Sequence, residues 1–368
     1  MLKGYYVRSR GKKAFVGVDK KIQNQIKTFG ENYEIKEIPL LKEPTNPIKS
    51  IFWRLPFGSF GRDYDTALKE IENPDFIYLR ACYLDRRYMD FLKKLRVSHP
   101  KAKILFEIPT YPYDKELLLN KTEWPHFFKD RFHRKNLKKY VDRIVTFSED
   151  KEIFGIPCIT TRNGIRVDDV AVVEPKNIKD DTIRLLSVAQ FQKSHGYERI
   201  IKSLAEYYAE GNKRRVELHM VGYGSEKKLY EELTRQYNLT DYVTFYGAKS
   251  GAELDTCYEN MDAGLGCFGL YKKNIDFVSS LKSVEYMSKG LPVINGFVER
   301  IMEGGEQYFK LFDNADTPIS MTEIVEFCDN LYKEDETHEK TAGAIHAHAK
   351  KMADMSVVME PIFDYINA

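Results

Sequence analysis

The sequence lacks any apolar run near the roughly 18 residues that a membrane-spanning helix needs. It lacks a Cys-x-x-Cys pair. Its five cysteines, Cys82, Cys158, Cys257, Cys267 and Cys328, are odd in number and scattered, which fits reduced thiols in a cytoplasmic setting better than a disulfide frame. Its eight histidines include no His-Glu-x-x-His, and the one close pair, His346 and His348, stands two residues apart and would not share a helix face. Neither a structural nor a catalytic metal is expected, and no other cofactor. The formal charge of +2 gives no reason to expect a nucleic-acid partner. No internal repeat or low-complexity tract is present. The start, Met1 to Val7, reads as a first strand rather than a signal peptide.

What is present supports a large core. Hydrophobic residues make up 43% and aromatics 13% of 368 residues, a length that suggests about two domains. Strand-like and helix-like segments alternate, which predicts an α/β fold with parallel sheets. The spacing predicts strands at 5–7, 76–79, 104–107, 143–147, 183–188, 217–221, 242–246, 263–267 and 292–294. It predicts helices at 20–29, 85–97, 197–208, 226–237 and 252–259, with helical composition again from about Glu339. The pattern weakens over residues 168–182, where the boundary between halves is expected.

The most informative stretch runs from Ser279 to Ile294. Ser279 or Ser280 caps a helix, Leu281, Val284 and Met287 share an apolar side, Gly290 stops the helix, and Leu291 to Ile294 suits a buried strand. Lys282 and Glu285 share a second, polar face. A lysine in a first turn opposes the helix dipole, so Lys282 makes sense beside an anion held by the free amides, among them those of Ser280 and Leu281. Glu285, one turn on, can accept from two hydroxyls such as a ribose presents.

Other loops at predicted strand ends carry candidates with plainer alternatives. Lys193 and His195, before the helix-entry glycine Gly196, can meet a diphosphate, His195 as a donor if protonated; a solvated loop is the other reading. Gly222-Tyr223-Gly224 lacks the third glycine of a dinucleotide fingerprint, so a tight turn explains it as well as a wall beside a base. Gly247 and Lys249 follow another strand and suit a nucleobase contact. The loop from Phe268 to Asp276 is polar and aromatic and should line a cleft, or simply the surface. In the first half, Arg80, Glu107, Thr110, Tyr111, Tyr113 and Asp114 mix carboxylates, hydroxyls and rings in the way a sugar site does; a loop stiffened by Pro109 and Pro112 is the alternative. Trp124 to Tyr140 combines aromatics with clustered positive charge, which suits either an anionic membrane surface or a solvated helix face.

These residues together resemble the retaining GT-B glycosyltransferases of the large family 4. In the second half the likeness rests on Arg162-Asn163-Gly164-Ile165, His195-Gly196, Val221-Gly222-Tyr223-Gly224 and Ser280 to Ile294. In the first half Gly17 to Ile22 and Leu105 to Asp114 resemble the branch used in bacterial capsule and exopolysaccharide assembly. The resemblance implies two Rossmann-like domains with parallel sheets facing across a cleft: an acceptor domain at 1–170, a nucleotide-sugar domain at 171–351, and a final helix, about 352–368, packing back on the first.

It implies a nucleotide-sugar donor, UDP-linked, and a saccharide or lipid-linked acceptor at the inner face of the cell membrane. It also implies front-face retention without a metal. Glu285 matches the second of the family's paired glutamates. The first falls at Phe277, beside Asp276. The family's phosphate-binding arginine and lysine fall at Gln190 and His195, and its first-domain histidine near Glu107. The leaving charge is therefore expected to fall to Lys193, Lys282 or His195. A non-catalytic nucleotide-binding subunit or a sugar-nucleotide epimerase of similar fold are the alternatives.

Overall fold

Consecutive residues in the strands bury on opposite sides, so both faces of each sheet must be covered. Tyr5, Val7, Ile77, Leu79, Ile104 and Phe106 join one core, while their neighbours Tyr6, Phe76, Tyr78 and Leu105 join another. The computed structural model describes residues 1–10, 16–41, 55, 58, 62–80, 83–119, 123–178, 180–273, 275 and 278–368. The chain divides into two units, Met1–Arg162 with Met355–Ala368, and Asn163–Asp354.

The first unit carries β1 (Lys3–Arg10), α1 (Val16–Asn32), β2 (Glu34–Leu41), α2 (Tyr64–Glu70), β3 (Phe76–Arg80), α3 (Arg86–Ser98), β4 (Lys103–Ile108), α4 (Asp114–Leu119), α5 (Trp124–His133), β5 (Arg143–Thr146), β6 (Glu152–Ile153) and β7 (Ile156–Thr160). The sheet order is β2-β1-β3-β4-β5-β7-β6, parallel throughout except for the short β6–β7 pair.

The second unit carries β8 (Ile183–Phe191), α6 (Tyr197–Ala209), β9 (Val216–Gly224), α7 (Lys227–Gln236), β10 (Val243–Gly247), α8 (Ala252–Thr256), β11 (Ala263–Leu265), α9 (Leu281–Ser288), β12 (Val293–Asn295), β13 (Phe309–Leu311), α10 (Met321–Tyr332) and α11 (Glu339–Ala353). Its six strands are all parallel, in the order β10-β9-β8-β11-β12-β13. The last helix, α12 (Met355–Asn367), belongs to the first unit, where Met355, Met359 and Ile362 share a core with Ile22 and Phe29 of α1.

All nine expected strands form, several of them longer than the pattern foretold. Missed were β2, whose Glu34, Lys36 and Glu37 obscure its alternation, β7, which Pro157 interrupts, and the two- and three-residue strands β6 and β13. The helix expected at 252–259 ends at Thr256.

In the second sheet the chain runs from β8 out to β9 and later returns to place β11 on the other side of β8. At that reversal the carboxyl ends of β8 and β11 open a crevice. Tyr286 of α9 spans it: its hydroxyl accepts from Val188 N–H at 2.8 Å and donates to the Leu265 carbonyl at 3.2 Å. Gly264 makes room for that ring, since a Cβ there would lie 2.4 Å from it. Gly264→Ala should therefore push Tyr286 off both bonds and cost about 1–3 kcal/mol or more, the range for overpacking. Urea unfolding measures this, and unchanged stability would show that the ring moves freely.

Candidate functional site

The loops that follow β8 and β11 meet at the crevice. Phe268 N–H donates to the His195 carbonyl at 2.7 Å and Gly269 N–H to the Ser194 carbonyl at 3.2 Å. Gly196 has φ +65°, and a Cβ there would lie 2.6 Å from the Phe268 carbonyl carbon. The backbone that Gly196 admits is thus the chain's own.

The first turn of α9 is pinned from two sides. Asn163 donates its backbone N–H to Ser279 Oγ at 2.7 Å and its side-chain amide to the Ser279 carbonyl at 2.5 Å. The Ser280 N–H donates to Glu299 Oε2 at 3.1 Å, and Asn295 donates to Glu299 Oε1 at 2.8 Å. Asn295 in turn accepts from Cys267 N–H at 3.0 Å, which ties the β11 loop to the same network. The Ser280 side chain caps the helix by accepting from Ser283 N–H at 3.5 Å. The Ser280 amide, expected to face an anion, is therefore taken by Glu299. The amides of Leu281 and Lys282 remain, and helix geometry gives neither an intrahelical acceptor.

Lys282 is half-buried; its ammonium lies 3.4 Å from the Tyr197 hydroxyl, 3.6 Å from Cys267 Sγ and 5.6 Å from the Tyr197 ring centre. Burial lowers its pKa. Among the described residues it makes no ion pair. His195 stacks on Tyr197 with ring centres 5.6 Å apart. Its Nδ1 accepts from Gln192 N–H at 3.2 Å, which leaves the Nε2–H as donor. Burial, then the charges of Lys282 and Lys273, push its pKa down to about 2. The condition set for His195, donation if protonated, is not needed: the neutral ring can donate through Nε2. Lys193 is exposed, and Lys273 is the nearby cation that the sequence did not flag. Glu285 sits half-buried one turn beyond Lys282. Asp276 and Phe277 lie outside the described residues, as does Cys82.

Gly222 and Gly224 lie inside β9, not in a turn. Their φ values are +140° and +148°, and a Cβ on either would strike the Ala189 or Phe191 carbonyl of β8 at 1.8 or 2.1 Å. They are required by the close approach of two strands. Tyr223 between them is 58% exposed beside that strand end. Gly247 has φ +70° with open space around it, and Lys249 pairs with Glu253 at 3.6 Å.

The first-unit candidates mostly serve the fold. Glu107 is fully buried. It accepts from Tyr78 at 2.6 Å and Gln25 at 3.1 Å, pairs with Arg80, and has Lys21 at 3.6 Å. Burial would raise its pKa, but the Arg80 and Lys21 charges outweigh it and hold the carboxyl at about 2. Both Glu107 and Arg80 are therefore occupied by each other. Asp114 holds Arg134 through two bonds, at 2.6 and 3.0 Å, and Tyr113 donates to Asp130 at 2.7 Å, so neither is free for a sugar. Tyr111 packs on Tyr113 and Phe154, and Thr110 is exposed. Among the described residues no group of three or more His, Cys, Asp or Glu side chains is placed to hold a metal.

The chain has the GT-B fold: two units, each a mostly parallel sheet covered by helices, with a candidate anion site at the strand reversal of the second. Residues 171–310 match the family model of glycosyl transferases group 1. No curated protein matches the sequence. Among solved structures, the HepE protein of Anabaena in complex with UDP and glucose is 12% identical, with all of both chains covered and a TM-score of 0.60. Sucrose-phosphate synthase from Thermosynechococcus elongatus is 13% identical over 100% of this chain and 99% of that one, TM-score 0.61. The lipopolysaccharide outer core galactosyltransferase WaaB in its apo form is 15% identical over 99% and 100%, TM-score 0.58.

Reasoning from sequence missed Asn163, Asn295 and Glu299 as the groups that fix α9. Asn163 stands in a recognisable motif; nothing in the sequence around Glu299 distinguishes it from a surface glutamate. Burial raises the Glu299 pKa to about 8, above the ordinary 4.5. Folding thus favours its protonated form, and stability should fall as pH rises from about 4.5 to about 8. Glu299→Gln, neutral at every pH, should show a shallower fall of Tm between about pH 6 and 8.5; equal slopes would mean that Glu299 does not titrate there. Glu107→Ala strands two buried cations and should cost about 3–5 kcal/mol in urea unfolding.

Proposed function

We propose that this chain is a retaining, metal-independent glycosyltransferase that moves a hexose from a nucleotide diphosphate sugar, a UDP-sugar, to a saccharide acceptor. The observation that carries this reading is Lys282: a half-buried cation in the first turn of α9, beside a neutral histidine, at the strand reversal of a domain that matches glycosyl transferases group 1. The bound UDP and glucose of the HepE neighbour support the choice of donor.

In this reading the Lys282 ammonium and the Leu281 and Lys282 amides receive the leaving diphosphate, and His195 donates through Nε2–H. Positive potential fixed in place before reaction stabilises charge that develops at the phosphate. Retention follows if the leaving phosphate takes the acceptor's proton on the face that it departs from. Glu285 accepts the ribose hydroxyls, and Tyr223 with Gly247 and Lys249 flanks the base. The acceptor is a lipid-linked saccharide in capsule, exopolysaccharide or other cell-surface glycan synthesis, met by Thr110 and Tyr111 of the first unit. The branch resemblance of Leu105 to Asp114 supports that assignment, and no described helix is long and apolar enough to cross a membrane.

UDP titration by calorimetry and UDP-sugar hydrolysis test the proposal. Glu285→Ala should weaken donor use by about 1.5–3 kcal/mol, the scale of hydrogen bonds to a charged group. Lys282→Ala should lower turnover more than UDP affinity. Because His195 is already neutral, turnover should show no inflection near pH 6.5 that His195→Gln removes. Tight UDP binding with no turnover on any donor would instead make the chain a non-catalytic subunit.

A further inference from the structure

We infer that Glu299 is a positioning residue that ties a proton to the anion at the start of α9: the diphosphate is received over Glu299 in its acid form and repelled by its carboxylate, which rests on the diphosphate reading given above. Glu299 is 2% exposed. Its Oε2 accepts the Ser280 N–H, so the carboxyl touches the helix start one residue before the free amides of Leu281 and Lys282. Its other oxygen accepts from Asn295, which is fully buried and held in turn by the Cys267 N–H. Asn295 is itself closed in, since a Cβ on Gly266 would lie 2.0 Å from its side-chain oxygen. The carboxyl is thus fixed by both oxygens and has no short way to water when an anion arrives.

A carboxyl so held finds partners in either protonation state. As a carboxylate it accepts from Ser280, Asn295 and the hydroxyl of Ser283. As an acid it has one O–H to donate, and Ser283 Oγ, fully buried in the first turn of α9, has no hydrogen bond completed elsewhere. The groups that face it, Ser280 and Ser283 of α9 and Asn295 of β12, are uncharged. Burial therefore decides the balance and sets the titration at about 8, opposed only by the bonds to those three residues. A diphosphate bound within about one helical turn makes the carboxylate costlier still, and by linkage the carboxylate weakens the diphosphate. Binding therefore takes up a proton, and affinity falls, as pH rises through about 8. Burial lowers the Lys282 pKa too, and loss of that charge weakens binding in the same direction. The two contributions separate because a Glu299 variant keeps only the second.

Calorimetric titration of the full chain with UDP from about pH 7 to about pH 9, in buffers of different ionisation enthalpy, tests this. The parent's Kd should rise across that range, by up to about tenfold per pH unit for one linked proton, with net proton uptake at about pH 8. Glu299→Gln should bind UDP nearly as tightly as the parent at about pH 7 and lose most of the rise and of the uptake. What remains belongs to Lys282 and to the nucleotide, which both chains share. Ser283→Ala removes a bond that favours the carboxylate, so it should move the rise to higher pH. Thermal melts at neutral pH that match the parent's would show that both variants are folded. Parallel curves for the parent and folded Glu299→Gln, or a Ser283→Ala rise moved to lower pH, would overturn the coupling and leave the donor reading standing. No UDP binding by the parent at any pH would overturn both.

Discussion

The first turn of a helix carries N–H groups that nothing inside the helix can satisfy, and what happens to those of α9 organises the second unit. Asn163 holds Ser279, the residue before the cap, by its hydroxyl and its carbonyl, and Glu299 takes the Ser280 amide. The cap and these two partners fix where the remaining donors point. Because Asn295 joins Glu299 to the Cys267 amide, the same network also sets the loop after β11 against the helix. Tyr286, one turn in from the other end of α9, then closes the gap between β8 and β11 from below. A shift of α9 along its axis would have to break all of these bonds together.

A neutral Glu299 is the form that suits this position. An ionised carboxylate buried under the helix start would satisfy the positive end of the dipole from inside and compete with any anion arriving from outside. Burial favours the acid, which still accepts from the Ser280 and Asn295 donors and adds no full charge beneath the free amides. His195 follows the same logic with the opposite sign. Burial first, and then the charges of Lys282 and Lys273, make an imidazolium costly, so the ring stays neutral and keeps one N–H for donation.

The alternation of strands and helices was legible in the sequence because parallel strands bury both faces and read as apolar runs, as in Phe76 to Leu79 and Ile104 to Phe106. Edge and short strands were not, since β2 is half-charged and β13 is three residues long. At the site, local rules placed α9, its Ser280 cap and the position of Lys282, because these depend on neighbours in sequence. They could not show that the Ser280 amide is spent, since its acceptor lies nineteen residues on. They also read Gly222 and Gly224 as a turn, whereas the reason for both glycines is the carbonyl row of β8. In the first unit, Arg80, Glu107, Tyr113 and Asp114 of a sugar-like mixture proved to be engaged by one another or by Arg134 and Asp130, which composition cannot reveal.

Buried cations occur in both units, in different surroundings. In the first, Lys21 and Arg80 share the Glu107 carboxylate, and Arg8 bonds both Asp19 and Glu37 at 2.8 and 2.7 Å. The two arginines are held in close ion pairs, whereas burial lowers the Lys21 pKa to about 7 despite the nearby Glu107. Lys282 has the Tyr197 hydroxyl, Cys267 Sγ and the face of the Tyr197 ring as neighbours. Burial lowers its pKa, and the charge of Glu285 only partly opposes that. In the proposed reading, a diphosphate at the start of α9 supplies the negative charge that Lys282 and the free amides of the first turn can receive.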